Sequence, residues 1–170
     1  ATLLNGVSDK TVLLIGTGET GNLALQNIYK KGVRQIAVTN RTMEKAEKTA
    51  AKYDGMAIPF DSLSKYLHGF DIIMVATASQ EPIITEEMVR EGKKIRPDHK
   101  QVFIDLSVPR NVEAGVAEIS NTEVLCVDDL QEIVKQTTEK KKEAAEKARI
   151  ILDEVVGDFN EWLASRSLRP

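Results

Sequence analysis

The chain has 170 residues, 42% hydrophobic and 29% charged, and its 23 basic and 26 acidic side chains leave a net charge of −3. That is enough for one buried core with length to spare, and a single cysteine, Cys126, excludes an intramolecular disulfide and a cysteine-rich metal site. No apolar run approaches the roughly 18 residues of a spanning helix and no basic-then-apolar leader opens the chain, so a soluble, cytoplasmic protein without metal or membrane partner is expected, and with a net negative charge any RNA contact has to be local.

The first strand is Thr11 to Ile15, too continuously apolar for a half-exposed strand and stopped by a glycine. Gly16-Thr17-Gly18-Glu19-Thr20-Gly21 follows, then a helix carrying Leu23, Ala24 and Ile28 that closes at Lys30-Lys31-Gly32. Gln35 to Thr39 is the second strand, Thr42 to Lys52 a helix, and Met56 to Pro59 a short third strand. Asp61 to Leu67 reads as a short helix, Asp71 to Ala76 as a central strand, and Thr85 to Glu91 as a helix capped by Thr85. Val102 to Leu106 and Val124 to Val127 complete six strands. A Gly-rich turn after the first of six strands with helical crossovers predicts an α/β doubly wound parallel sheet, a Rossmann fold in the order 3-2-1-4-5-6.

Past residue 128 the character changes. From Asp129 to about Ser165 no glycine occurs before Gly157, and runs such as Glu139 to Ala148 favour helix, which at about 1.5 Å per residue would extend roughly 55 Å. The expected division is 1–128 for the sheet domain and 129–170 for a long connecting helix, with Phe159, Trp162 and Leu163 left exposed for another domain or subunit. The chain therefore reads as a segment of a longer one.

A GxGxxG between a buried strand and a helix is the context in which that spacing binds a dinucleotide. The first glycine permits the turn, the second lets a diphosphate approach, the third packs helix on strand, and the helix N-terminus offers N–H groups. The alternative is a purely structural turn. Glu19 is awkward beside a diphosphate and suits the helix dipole better; Thr20 is the better polar contact. The second strand ends in Thr39-Asn40-Arg41-Thr42, without the acid that holds the ribose hydroxyls of NAD. Arg41 can fork onto a 2′-phosphate and Asn40 and Thr42 can add hydrogen bonds, so NADPH is favoured over NADH; Thr42 also serves as an N-cap. Thr77-Ala78-Ser79, after the fourth strand, leaves room for a nicotinamide ring or is a small-residue turn. Asp105 is either structural or lines the cleft. His68 and His99 read as surface residues, Cys126 as a buried apolar thiol, and Lys140-Lys141-Lys142 as a solvated helix face. No residue of the chain is assigned a catalytic role.

Joined to the Gly-rich turn, Asn40-Arg41-Thr42 resembles the glutamyl-tRNA reductase family. Pro82 to Thr85, Ile104 to Val112, Val127 to Val134 and Glu143 to Ala148 extend the resemblance over nearly the whole chain, with Leu106 in place of a smaller residue. It implies an NADPH-dependent oxidoreductase of tetrapyrrole (porphyrin) biosynthesis, in which a cysteine of an N-terminal domain forms a thioester from glutamyl-tRNA that is reduced to glutamate-1-semialdehyde. It further implies that this chain holds the hydride donor, that the catalytic and dimerisation domains lie elsewhere, and that the fragment alone is inactive. The implied partners are glutamyl-tRNA through the catalytic domain, a second copy in a homodimer, and the next enzyme of the route. Two other readings stay open: the NADP domain of a shikimate dehydrogenase, which shares the Asn-Arg-Thr, and a non-catalytic dinucleotide-sensing module.

Overall fold

The structure is a computed structural model that describes residues 8–126, 155–157 and 159. Strands β1 (Thr11–Ile15), β2 (Gln35–Thr39), β3 (Met56–Ala57), β4 (Ile72–Val75), β5 (Gln101–Asp105) and β6 (Thr122–Cys126) form one sheet. Every neighbouring pair is parallel, and the order is β3-β2-β1-β4-β5-β6, as the sequence predicts. Both faces are covered, which is why the strands are continuously apolar. Val12, Leu14, Ile36, Val38, Ile72 and Met74 enter one core, closed by Leu25 and Ile28 of α1 (Glu19–Tyr29) and Ala46 and Ala50 of α2 (Met43–Ala51). The alternate residues Leu13, Ile15, Ala37, Ile73, Val75 and Phe103 enter the other, against Leu63 of α3 (Leu63–Tyr66) and Val89 of α4 (Glu86–Ile95). The crossovers thus change face between β1 and β4, and a crevice opens at the carboxyl ends of these strands.

Several boundaries differ from the sequence reading. β3 keeps two residues: the Ile58 N–H still donates to the Val38 carbonyl at 2.8 Å, and the chain then leaves the sheet edge at Pro59, the N-cap of a 3-10 helix. The Asp61 to Leu67 helix is split into a 3-10 turn, Phe60–Ser62, then α3, then a second 3-10 turn, Leu67–Gly69. α4 runs past Glu91 to Ile95 beneath its Thr85 cap, whose hydroxyl accepts from the Met88 N–H. A 3-10 helix at Ala114–Glu118, anchored by buried Val116, escaped the sequence reading because five residues are too short to show a period. Among the described residues no helix is long and apolar enough to cross a membrane.

The long helix expected over 129–165, the division at residue 128, Lys140 to Lys142 and Trp162 lie outside the described residues, except that 155–157 and 159 are helical. These residues overturn one expectation. Phe159 is 3% exposed and, with Val155, packs into the core on the α1 side of the sheet, lining a small apolar gap with Ala24, Ile28, Met74 and Ile104. The surface that covers it is made by α1, β4 and β5 of this same domain.

The histidines also depart from a surface role. His68 is half-buried, and the His99 side chain is only 9% exposed, with Nε2 2.6 Å from Oδ1 of Asp71. The other oxygen of Asp71 accepts from the Thr11 N–H at 2.8 Å and the Thr11 hydroxyl at 3.1 Å, and the Lys93 ammonium donates to the carbonyls of His99 and Asn121. This clasp ties the starts of β1 and β4 to the loop before β5. Burial pushes the Asp71 carboxyl up, but the bonds from His99 and Thr11 and the charge of His99 outweigh it and hold the group below the usual carboxylate range. A carboxyl lowered on folding adds stability above its ordinary value of 3.8 and loses it as pH falls through the folded value. Asp71→Asn is expected to cost about 1–3 kcal/mol near neutral pH. In urea titrations the difference from the parent chain should shrink below about pH 4.

Candidate dinucleotide site

At the end of β1 the chain turns at Gly16, which holds φ +99°, a region open chiefly to glycine. Its N–H donates to the Thr39 carbonyl at 2.9 Å, and the Ala76 N–H donates to the Ile15 carbonyl at 2.9 Å. A Cβ on Gly16 would stand 2.1 Å from the Ala76 carbonyl oxygen. One on Gly21 would meet the Gly16 carbonyl oxygen at 2.9 Å, so the third glycine is what lets α1 lie against this turn. Gly18 is different: a Cβ there would meet nothing within 4 Å, and the residue faces a cleft. Open space beside backbone at the start of an 11-residue helix is what a diphosphate needs. Asn22, which sequence reasoning missed, braces the turn: its Nδ2 donates to the carbonyls of Thr17 at 2.7 Å and Gly18 at 3.0 Å. Its place four residues after Gly18, one helical turn on, was the available signal.

The cleft has a volume of about 600 Å3 and runs from this turn between the ends of β2 and β4. Of the residues singled out from sequence, Gly16, Thr17, Gly18, Asn40, Arg41, Thr77, Ala78 and Ser79 line it, and Glu19, Thr20, Gly21 and Thr42 do not. Glu19 and Thr20 lie exposed on the first turn of α1. Thr42 holds the N-cap position of α2 without a side-chain cap bond, and its carbonyl accepts from Nδ2 of Asn40 at 3.3 Å. Arg41 spans the cleft: its guanidinium lies 5.8 Å from the centre of the Phe60 ring, and Nη2 donates to the Ser79 hydroxyl at 3.3 Å. Phe60 and the lysines Lys45, Lys48 and Lys52 also line it and were missed. The lysines recur at steps of three and four, a helix-face spacing that was legible. No carboxylate stands among the described lining residues.

A buried network holds the far wall. Asp105 is 1% exposed; one oxygen accepts from the Ser107 N–H at 3.0 Å, the other from the N–H groups of Asn111 at 2.8 Å and Val112 at 2.9 Å. The Ser107 hydroxyl then accepts from the Thr77 N–H at 3.0 Å, and Asn111 takes the Thr77 hydroxyl proton on Oδ1 and donates through Nδ2 to the Ser79 carbonyl at 3.0 Å. Asp105 does not line the cleft. It positions, through Ser107 and Asn111, the loop that does. Asp105→Ala would orphan three buried N–H groups, and a loss of at least about 3 kcal/mol is expected in chemical denaturation; a loss under about 1 kcal/mol would contradict this role.

The sequence profile of the family described as Shikimate / quinate 5-dehydrogenase matches residues 1–133. A glutamyl-tRNA reductase of a Sulfurihydrogenibium species is 39% identical over 168 residues, 99% of this chain and 38% of that protein. The glutamyl-tRNA reductase of Methanopyrus kandleri superposes with a TM-score of 0.76 at 34% identity over 95% of this chain and 41% of that one. The nucleotide binding domain of the Thermoplasma volcanium glutamyl-tRNA reductase does so with a TM-score of 0.57 at 25% identity, over 78% of this chain and 87% of that one. The chain thus spans about two fifths of the length of the full-length relatives. Fold and family together imply a nicotinamide dinucleotide as cofactor. The chain belongs to the shikimate / quinate 5-dehydrogenase family and is similar, over nearly its whole length, to glutamyl-tRNA reductases.

Proposed function

We propose that this chain is the NADPH-holding unit of a glutamyl-tRNA reductase, the part that presents the hydride donor when glutamyl-tRNA is reduced to glutamate-1-semialdehyde. The observation that supports this most is the end of β2, where no carboxylate waits for a ribose and Arg41 and Lys45 line the cleft instead. In this reading the turn Gly16-Thr17-Gly18 and the start of α1 take the diphosphate, Asn40, Arg41 and Lys45 take the 2′-phosphate, and Thr77-Ala78-Ser79 gives room to the ring that supplies the hydride. Arg41 already rests on Phe60 and Ser79, so less side-chain freedom remains to be lost on binding. Residues 1–128 form the cofactor unit and 129–170 the link toward the rest of a larger, cytoplasmic, homodimeric protein whose catalytic domain receives the tRNA. A shikimate-type dehydrogenase would share Asn40-Arg41-Thr42, but the similarity to reductases over 168 residues favours the first reading.

Calorimetric titration tests the assignment. The parent chain should bind NADPH more tightly than NADH by about tenfold or more, the value of a charged hydrogen bond of about 1.5–3 kcal/mol. Arg41→Ala should remove that preference and leave NADH affinity unchanged, and Gly18→Ala should keep the fold while weakening both ligands. Equal losses for the two cofactors in Arg41→Ala would overturn the assignment of the 2′-phosphate.

A further inference from the structure

We propose that Phe60 is a positioning residue for cofactor choice: its ring holds the Arg41 guanidinium on the cleft side, and that placement, not the charge of Arg41 alone, sets the preference for a dinucleotide with a 2′-phosphate. The proposal deepens the reading of this cleft as an NADPH site and rests on it. Arg41 is an exposed side chain that borders two open spaces. One is the cleft; the other is a hollow of about 390 Å3 that shares Asn40, Arg41 and Phe60 with it and continues to Met43, Pro59 and Asp61. Walls therefore do not confine the guanidinium, and a long exposed side chain has many rotamers to lose on binding. The second hollow also carries Asp61, a carboxylate onto which the fork of N–H groups would turn if nothing held it. The structure shows no such ion pair: among the described residues no carboxylate lies within 4.0 Å of an Arg41 nitrogen. The guanidinium lies instead 5.8 Å from the centre of the Phe60 ring, and Nη2 reaches across to the Ser79 hydroxyl at 3.3 Å.

The ring can act as a support because its own place is fixed. Phe60 opens the 3-10 helix Phe60–Ser62, whose N-cap Pro59 accepts from the Ser62 N–H at 3.0 Å, and it packs against the core that holds Ile58 and Leu63. A role at the edge of that core would be filled as well by leucine. What a ring adds is a face of negative potential toward the cation beside it, and a planar guanidinium stacks on such a face. Ser79 is the weaker support, because its hydroxyl is already shared: it donates to the Glu81 carbonyl at 2.8 Å and accepts from the Glu81 N–H at 3.2 Å.

Calorimetric titration of the full chain with NADPH and with NADH gives the ratio of the two dissociation constants, in which general damage to the cleft cancels. Phe60→Leu and Phe60→Met, two ringless variants that keep apolar bulk at the edge of the core, should each lower the preference for NADPH about fivefold, the equivalent of an exposed cation–π contact of about 1 kcal/mol. Phe60→Tyr keeps the ring and should stay within about twofold of the parent ratio. In an Arg41→Ala background, Phe60→Leu should change the ratio less than about twofold, because a ring without its cation has nothing to position. An unchanged ratio in both ringless variants, whether or not the two affinities fall together, would leave Phe60 as a core residue and overturn the proposal. So would a loss in Phe60→Tyr as large as in Phe60→Leu, or a fivefold change that persists without Arg41, which would put the ring against the cofactor itself. Failure of the underlying reading looks different: a parent chain with no preference for NADPH, or one whose preference survives Arg41→Ala.

Discussion

Everything in the cleft depends on how closely the chain approaches itself at the end of β1. Gly16 bonds to the end of β2 and lies so near the end of β4 that a single added carbon would stand 2.1 Å from the Ala76 carbonyl oxygen. That approach brings the turn, Asn40 and Arg41 after β2, and Thr77 to Ser79 after β4 around one space. It also points the first turn of α1 into that space, with Gly18 as the open position. A bulkier residue at Gly16 would separate the walls before any ligand arrived.

Two carboxylates at opposite ends of the central strands, Asp71 and Asp105, divide the remaining work by edge. Asp71, at the start of β4, joins β1 and the loop carrying His99 and so fixes the edge away from the cleft. Asp105, at the end of β5, accepts three backbone N–H groups and shapes the segment that carries Ser107 and Asn111, which in turn hold Thr77 and Ser79. Neither carboxylate lines the cleft. Its described lining is therefore free of negative charge, and the positive side chains of α2 face it without competition.

How much of this was legible depends on the range of the interaction. The strands and their order could be read because both faces of the sheet are buried, so each strand is an uninterrupted apolar run bounded by turn residues. The Gly-rich turn and Asn40-Arg41 are local motifs whose spacing carries their meaning. The clasp of Asp71 with His99 spans 28 residues, and the bonds from Asn111 to the Ser79 loop span 32. No local pattern announces pairs so distant. Phe159 was misread for the same reason: the surface that buries it is assembled from α1, β4 and β5. Lys45, Lys48 and Lys52 were visible as a helix face, but only the neighbouring strand ends show that the face borders the cleft.

The most direct test of the account is a crystal structure of this chain grown with NADPH. The diphosphate is expected against the backbone of Gly16 to Gly18, with the 2′-phosphate within hydrogen-bond reach of Arg41 and the ring beside Thr77 to Ser79. A nucleotide seated elsewhere, or one in this cleft with its 2′-phosphate turned away from Arg41 and Lys45, would contradict it.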